Sequence, residues 1–179
     1  MESPSQIKLR EPLLVLVAAV LLIWWGINAF NTGNVLWFLP LQPVHQPSRI
    51  IVRDYGTAVT LQAGTAGYDE LTEALNQSLG NFANRELIPI GLGDETLRRY
   101  HEEELVLEVY YPEPVRFNTS VRLTGVNQLL IPIDATHDGQ GYVFIGSNGQ
   151  WRVGAMVMEN DEPLMAAMGE LGYLEGISR

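Results

Sequence analysis

Cysteine is absent from this chain. That excludes a disulfide framework, a thiolate metal site and a cysteine nucleophile. Basic residues are scarce, with 11 Lys and Arg against 21 Asp and Glu. From Ser48 onward nine arginines stand against nineteen acidic residues, so the whole net charge of −10 lies in that region. Such a surface is repelled by phosphate backbones and anionic headgroups, and nucleic acid is not an expected partner.

What the chain has in abundance is one apolar run. Pro12 to Phe30, PLLVLVAAVLLIWWGINAF, contains no charged residue. At about 1.5 Å per residue its length as a helix is roughly 28 Å, close to the hydrocarbon thickness of a bilayer. Apolar residues cover every face, which a small soluble core could not bury. A cleavable signal peptide is the rival, but the run is long and no small-x-small site follows it. The expectation is an uncleaved anchor. Lys8 and Arg10 precede it and no basic residue follows until Arg49, so residues 1–11 are expected in the cytoplasm and the C-terminal region outside the membrane. Trp24 and Trp25 suit an interfacial aromatic belt near the far end.

Residues 31–47, NTGNVLWFLPLQPVHQP, form a tether. Asn31-Thr32-Gly33-Asn34 is turn chemistry that ends the helix. Val35 to Leu41 is apolar but too short for a second span. It could lie on the outer interface, or dock into a partner or into its own domain; Trp37 and Phe38 favour the interface or a partner. Pro40, Pro43 and Pro47 favour extended chain, and His45 stands alone and is expected in solvent.

Residues 48–179 have the size of a single domain with its own core. Two β-rich runs flank Asp54-Tyr55-Gly56-Thr57, a hairpin signal. A helix follows over about 68–82, with Leu71, Leu75, Leu79 and Phe82 on one face. A short helix is expected from Asp94 to about Glu103. Leu105–Tyr111 reads as a strand, and Val115–Leu123 alternates apolar and polar residues with a period of two, predicting another. Further strands are expected over 126–133, 142–146 and 151–158, the last two joined through Asn148-Gly149. A final helix begins near Asn160 or Asp161 with Pro163 in its first turn. The expected fold is α+β: a single transmembrane helix, then one domain whose mainly antiparallel sheet is packed by helices on one face.

Chemistry-bearing clusters are few. Asp134, His137 and Asp138 place three possible metal ligands in one loop, although the spacing of a calcium loop is missing and the same residues are ordinary turn formers. His101 with Glu102, Glu103 and Glu104 could supply a base and carboxylates, but neighbouring helical residues point apart. Gly91-Leu92-Gly93 precedes Asp94-Glu95, whose charge opposes a phosphate, and has no P-loop lysine.

The start of the domain, PSRIIVRDYGTAVTLQAGTAGYDELTEALNQSL, combines a hairpin with an amphipathic helix behind one anchor. In Pro47 to Val52, Thr60-Leu61 and Leu71 to Leu79, about a fifth of the chain, it resembles the extracytoplasmic domains of the YycH and YycI regulatory proteins. The resemblance implies a single-pass bacterial protein that restrains a sensor kinase through anchor and domain contacts.

The functional expectation is a non-catalytic accessory or regulatory subunit of a membrane complex. Its partners are the bilayer and other envelope or membrane proteins, its contact residues are Trp24, Trp25, Trp37 and Phe38, and no cofactor is expected. The alternative is a ligand- or metal-binding sensor, or a hydrolase, with its site at Asp134, His137 and Asp138.

Overall fold

The computed structural model describes residues 10–32, 35, 44–119, 121 and 123–174. They fall into two units, divided between Leu41 and Gln42.

The first unit is built on helix α1, Arg10–Thr32. Within it Glu11–Phe30 is long and apolar enough to cross a membrane, and none of this stretch is buried by protein. An apolar helix left uncovered on every side is stable against lipid and unstable against water.

The second unit is α+β. Its elements are β1 (Arg49–Asp54), β2 (Thr57–Leu61), α2 (Tyr68–Ser78), α3 (Asp94–Glu102), β3 (Leu105–Tyr110), β4 (Gln128–Asp134), β5 (Tyr142–Ser147), β6 (Gln150–Val157) and α4 (Glu162–Glu170). Both expected hairpins form, and each turn has the two left-handed residues of a type I′ connection: Tyr55 and Gly56 at φ 44° and 89°, Asn148 and Gly149 at 51° and 83°. Helix α2 stops at Ser78, short of the expected Phe82, and Leu79 closes it. Helix α4 starts where Asn160 Oδ1 accepts the Glu162 N–H at 2.9 Å.

The six strands make one antiparallel sheet in the order β2-β1-β3-β4-β5-β6. Strand β5 pairs with β4 only through Gln128, Leu129 and Leu130. Pro132, which has no N–H to give, therefore sits beyond that ladder.

The helices do not share one face, and the expectation that they do is corrected. Alternate residues of the central strands enter two separate cores. Leu107, Leu129, Ile131, Val143 and Met156 pack with Leu71 and Leu75 of α2 and with Leu164 and Met168 of α4. On the opposite face Val106, Leu130, Phe144 and Ala155 pack with Tyr100 and Leu97 of α3. The link from α2 to α3 goes round the β6 edge. There Ala83 N–H donates to the Val157 carbonyl at 2.9 Å, and Ile88 and Ala155 exchange N–H···O=C bonds at 3.0 Å. Coverage on both sides explains why every residue of β3 from Leu105 to Val109 is buried.

The strand expected over Val115–Leu123 is also overturned. The described residues of this stretch form no strand. The two edges of β3, the strand that precedes it in the chain, are already taken by β1 and β4, so the segment does not pair with β3. Its alternation serves packing instead: Val115, Phe117, Val121 and Leu123 lie against the larger core as a covering loop.

Candidate interaction surface

In α1 the two tryptophans are exposed, Trp24 at 54% and Trp25 at 39%. The Trp25 indole N–H donates to the Val35 carbonyl at 3.0 Å, so it ties the end of the helix to the start of the tether. Of the other expected contact residues, Trp37 and Phe38 lie outside the described residues.

The end of the tether is fastened to the domain. His45 N–H donates to Asn76 Oδ1 at 2.7 Å, and Asn76 Nδ2 donates back to the His45 carbonyl at 3.0 Å. The imidazole Nε2 lies 2.7 Å from the Arg116 carbonyl oxygen, which makes Nε2 the protonated nitrogen. The ring meets Tyr111 and Phe117 edge-on, with centroids 5.9 and 5.6 Å away. His45 is therefore a bolt between α2 and the covering loop, which corrects the expectation that it is solvated. Beside it opens a groove lined by Val44, His45, Gln46, Tyr111 and Pro112 to Arg116. Burial pushes the Tyr111 phenol up from its ordinary value, so it stays neutral.

The proposed metal ligands are separated by other commitments. The Tyr55 hydroxyl donates to Asp134 Oδ2, and that bond, with burial second, pushes the Tyr55 phenol up to about 12. His137 has a left-handed backbone, φ 75°. Its Nδ1 is 2.9 Å from the Tyr100 hydroxyl, and its ring lies among Tyr100, Tyr142 and Phe144. Asp138 closes the turn through its N–H, bonded to the Ala135 carbonyl at 2.9 Å. Among the described residues no three His, Asp or Glu side chains are grouped to hold a metal ion.

The run from His101 to Glu104 likewise diverges. Arg98 pairs with Glu95, Glu102 and Glu103 at 2.7–2.9 Å on an exposed face, where such pairs contribute little. Glu104 turns the other way, accepting the Thr136 N–H at 2.7 Å and pairing with Arg99 at 3.1 Å. His101 reaches a different partner altogether.

That partner is Glu108, the feature a sequence reading misses. It sits in the middle of β3 at 2% exposure. Arg53 Nε donates to Oε1, and His101 Nε2 lies 3.1 Å from the same oxygen. The Tyr110 hydroxyl donates to Oε2 at 2.6 Å, and the Arg49 guanidinium lies 4.2 Å above the Tyr110 ring. Burial first, then the Glu108 bond, pushes the Tyr110 phenol up to about 12. The signal was available: one charge inside the apolar run LVLEVY must find partners if both faces are covered. Asn76 gave no such signal, since it reads as an ordinary outward helical residue.

These clusters are internally paired, so they lock elements together more readily than they offer a reacting group. Comparison with protein-family models, with curated proteins and with solved structures finds no match to this chain.

Proposed function

We propose that this chain is a single-pass membrane protein with a cytoplasmic N-terminal tail and an extracytoplasmic α+β domain. It acts as a non-catalytic accessory or regulatory subunit that binds other envelope or membrane proteins. The observation that carries this reading is the helix Glu11–Phe30: twenty residues, uncharged after Glu11 and apolar on all sides, none of them buried by protein. Twenty helical residues span about 30 Å, the thickness that lipid would cover.

Supporting it, the domain end of the tether is fastened to α2 by the His45–Asn76 pair. Glu104, Glu108, Asp134, His101 and His137, the carboxylates and histidines of the clusters described above, are engaged in ion pairs and hydrogen bonds, which suits a recognition module better than an enzyme. The likeness to YycH and YycI makes a membrane sensor kinase the first partner class to examine. Contacts are assigned to Trp24 and Trp25 within the bilayer and to Trp37 and Phe38 just outside it.

Alkaline carbonate washing of membranes tests the anchor, and the chain should stay in the pellet; release into the supernatant would sink it. Protease added to intact cells should cut the domain and spare the tail. In a mild-detergent pull-down, W37S/F38S should lose the partner that the unaltered chain retains. An unchanged yield would remove those residues from the contact.

A further inference from the structure

We propose that β2 is a pairing edge for a second copy of this chain, joining two six-stranded sheets into one continuous sheet about a two-fold axis at Val59. The two edges of the sheet are treated differently. Strand β6 is covered by the α2–α3 link: the Ile88–Ala155 exchange is extended by Gly154 N–H donating to the Ile90 carbonyl at 2.8 Å, and by Val157 N–H donating to Asn84 Oδ1 at 2.8 Å. Strand β2 has β1 on one side, and among the described residues no backbone bond reaches its other side. Thr57, Ala58, Val59 and Thr60 are all exposed.

Edge strands are ordinarily protected by charge, proline or a bulge. TAVTL has neither charge nor proline, and its register with β1 runs unbroken from Asp54↔Thr57 to Ile50↔Leu61.

The phase of the hairpin fixes which groups are free. A two-residue turn makes Asp54 and Thr57 a hydrogen-bonded pair, so Thr57, Val59 and Leu61 bond inward to β1. The Tyr55 N–H bond to the Glu104 carbonyl on the far side of β1 has the same phase. The N–H and C=O of Ala58 and Thr60 therefore point outward.

These two residues flank Val59 symmetrically, and that symmetry selects a second copy as the occupant. A two-fold at Val59 sets Ala58 of each chain against Thr60 of the other, so that both pairs exchange their two bonds. Val59 meets its own counterpart, and Thr57 meets Leu61. None of the five residues is charged, so two domains of net charge −10 meet here with no carboxylate opposing another across the strand pair. Five residues bury far less than the roughly 1,200 Å² of a stable complex. The pairing therefore depends on confinement of both copies in one bilayer, and in this it rests on the anchor reading.

The absence of cysteine makes the test clean. Val59→Cys in the full chain, reconstituted in phosphatidylcholine vesicles, should form a disulfide dimer under mild oxidation. Residues facing across a non-hydrogen-bonded antiparallel pair have Cα atoms about 4.5 Å apart, within disulfide range. Thr57→Cys should not, because its counterpart lies about 14 Å along the strand. Val153→Cys, exposed on β6, measures random collision and should also fail. Ala58→Pro or Ala58→Asp added to V59C should remove the dimer, the first by deleting an outward N–H and the second by opposing like charges. No V59C dimer in vesicles that carry the chain, an equal yield from V153C, or persistence of the dimer in both A58P and A58D would overturn the proposal. Flotation of the same vesicles reads the anchor separately: chains that do not float refute the span, and V59C cross-linking in concentrated solution then reports on the edge alone.

Discussion

Removing the Glu108 carboxylate is the most exacting probe of this fold. Glu108→Gln keeps the shape of the side chain but deletes the charge that Arg53, His101 and the Tyr110 hydroxyl converge upon. Breaking a fully buried ion pair by deleting one partner costs about 3–5 kcal/mol. Here the Arg53 side chain keeps 23% of its exposure and His101 40%, so both recover part of their hydration. The expected loss is about 2–3 kcal/mol, mostly the lost attraction between the Arg53 guanidinium and a buried negative charge, since a neutral amide oxygen still accepts but does not balance that charge. In urea unfolding of a fragment beginning at Gln42, where the compact unit starts, the midpoint should fall by about 1–2 M. Y110F alone should cost about 1 kcal/mol, the worth of one hydrogen bond. The double variant should lose less than the sum, because the two changes delete the same bond. Replacing both Arg53 and Glu108 by apolar residues of similar volume should recover most of the loss. A midpoint for E108Q within error of the unaltered domain would refute the view that this carboxylate holds β1, β3 and α3 together.

Three other perturbations follow from the geometry. Asn76→Ala removes both side-chain bonds to the His45 main chain; it should cost about 1–2 kcal/mol and speed protease cleavage near residue 45, and unchanged cleavage would count against the bolt. Tyr55 and Tyr110 are both pushed up to about 12 from 10.0. The folded chain thus holds protons that the unfolded chain has released, so stability is full below pH 10 and declines as pH rises toward 12; denaturation midpoints at pH 9, 10 and 11 check this, and a flat profile would contradict it. Gly146→Ala would place a methyl group against the buried Gln128 amide and 2.8 Å from the Gln150 carbonyl oxygen. It should destabilise by about 1–3 kcal/mol through overpacking, read as a lowered thermal midpoint.

Features carried by near neighbours were legible in the sequence. The apolar run of α1 exceeds anything a domain of this size could bury. The Asn148-Gly149 turn rests on two residues that tolerate or prefer positive φ and the Tyr55-Gly56 turn on its glycine, and the apolar stripe of α2 repeats within its own turns. These properties need no information from elsewhere in the chain, so they pointed to a long apolar helix, two hairpins, and a helix that starts at Tyr68 as expected but ends at Ser78. Tertiary structure decided the rest, because it depends on which edges and faces remain free once other parts have packed. Val115–Leu123 has the alternation of a strand and is not one, since β1 and β4 already flank β3. Helix α3 lies on the face opposite α2 and α4 because the link between α2 and α3 passes round β6. Asp134 and His137 look like ligands in one loop, yet Tyr55 and Tyr100, from distant segments, claim them separately. His45 reads as a solvated tether residue until α2 supplies Asn76 and the covering loop supplies the Arg116 carbonyl. Glu108 is one charge in an apolar strand until folding brings Arg53 from β1 and His101 from α3 to the same carboxylate oxygen. Pairings between residues far apart in sequence leave no periodic trace along the chain, and only the assembled sheet brings them within bonding distance.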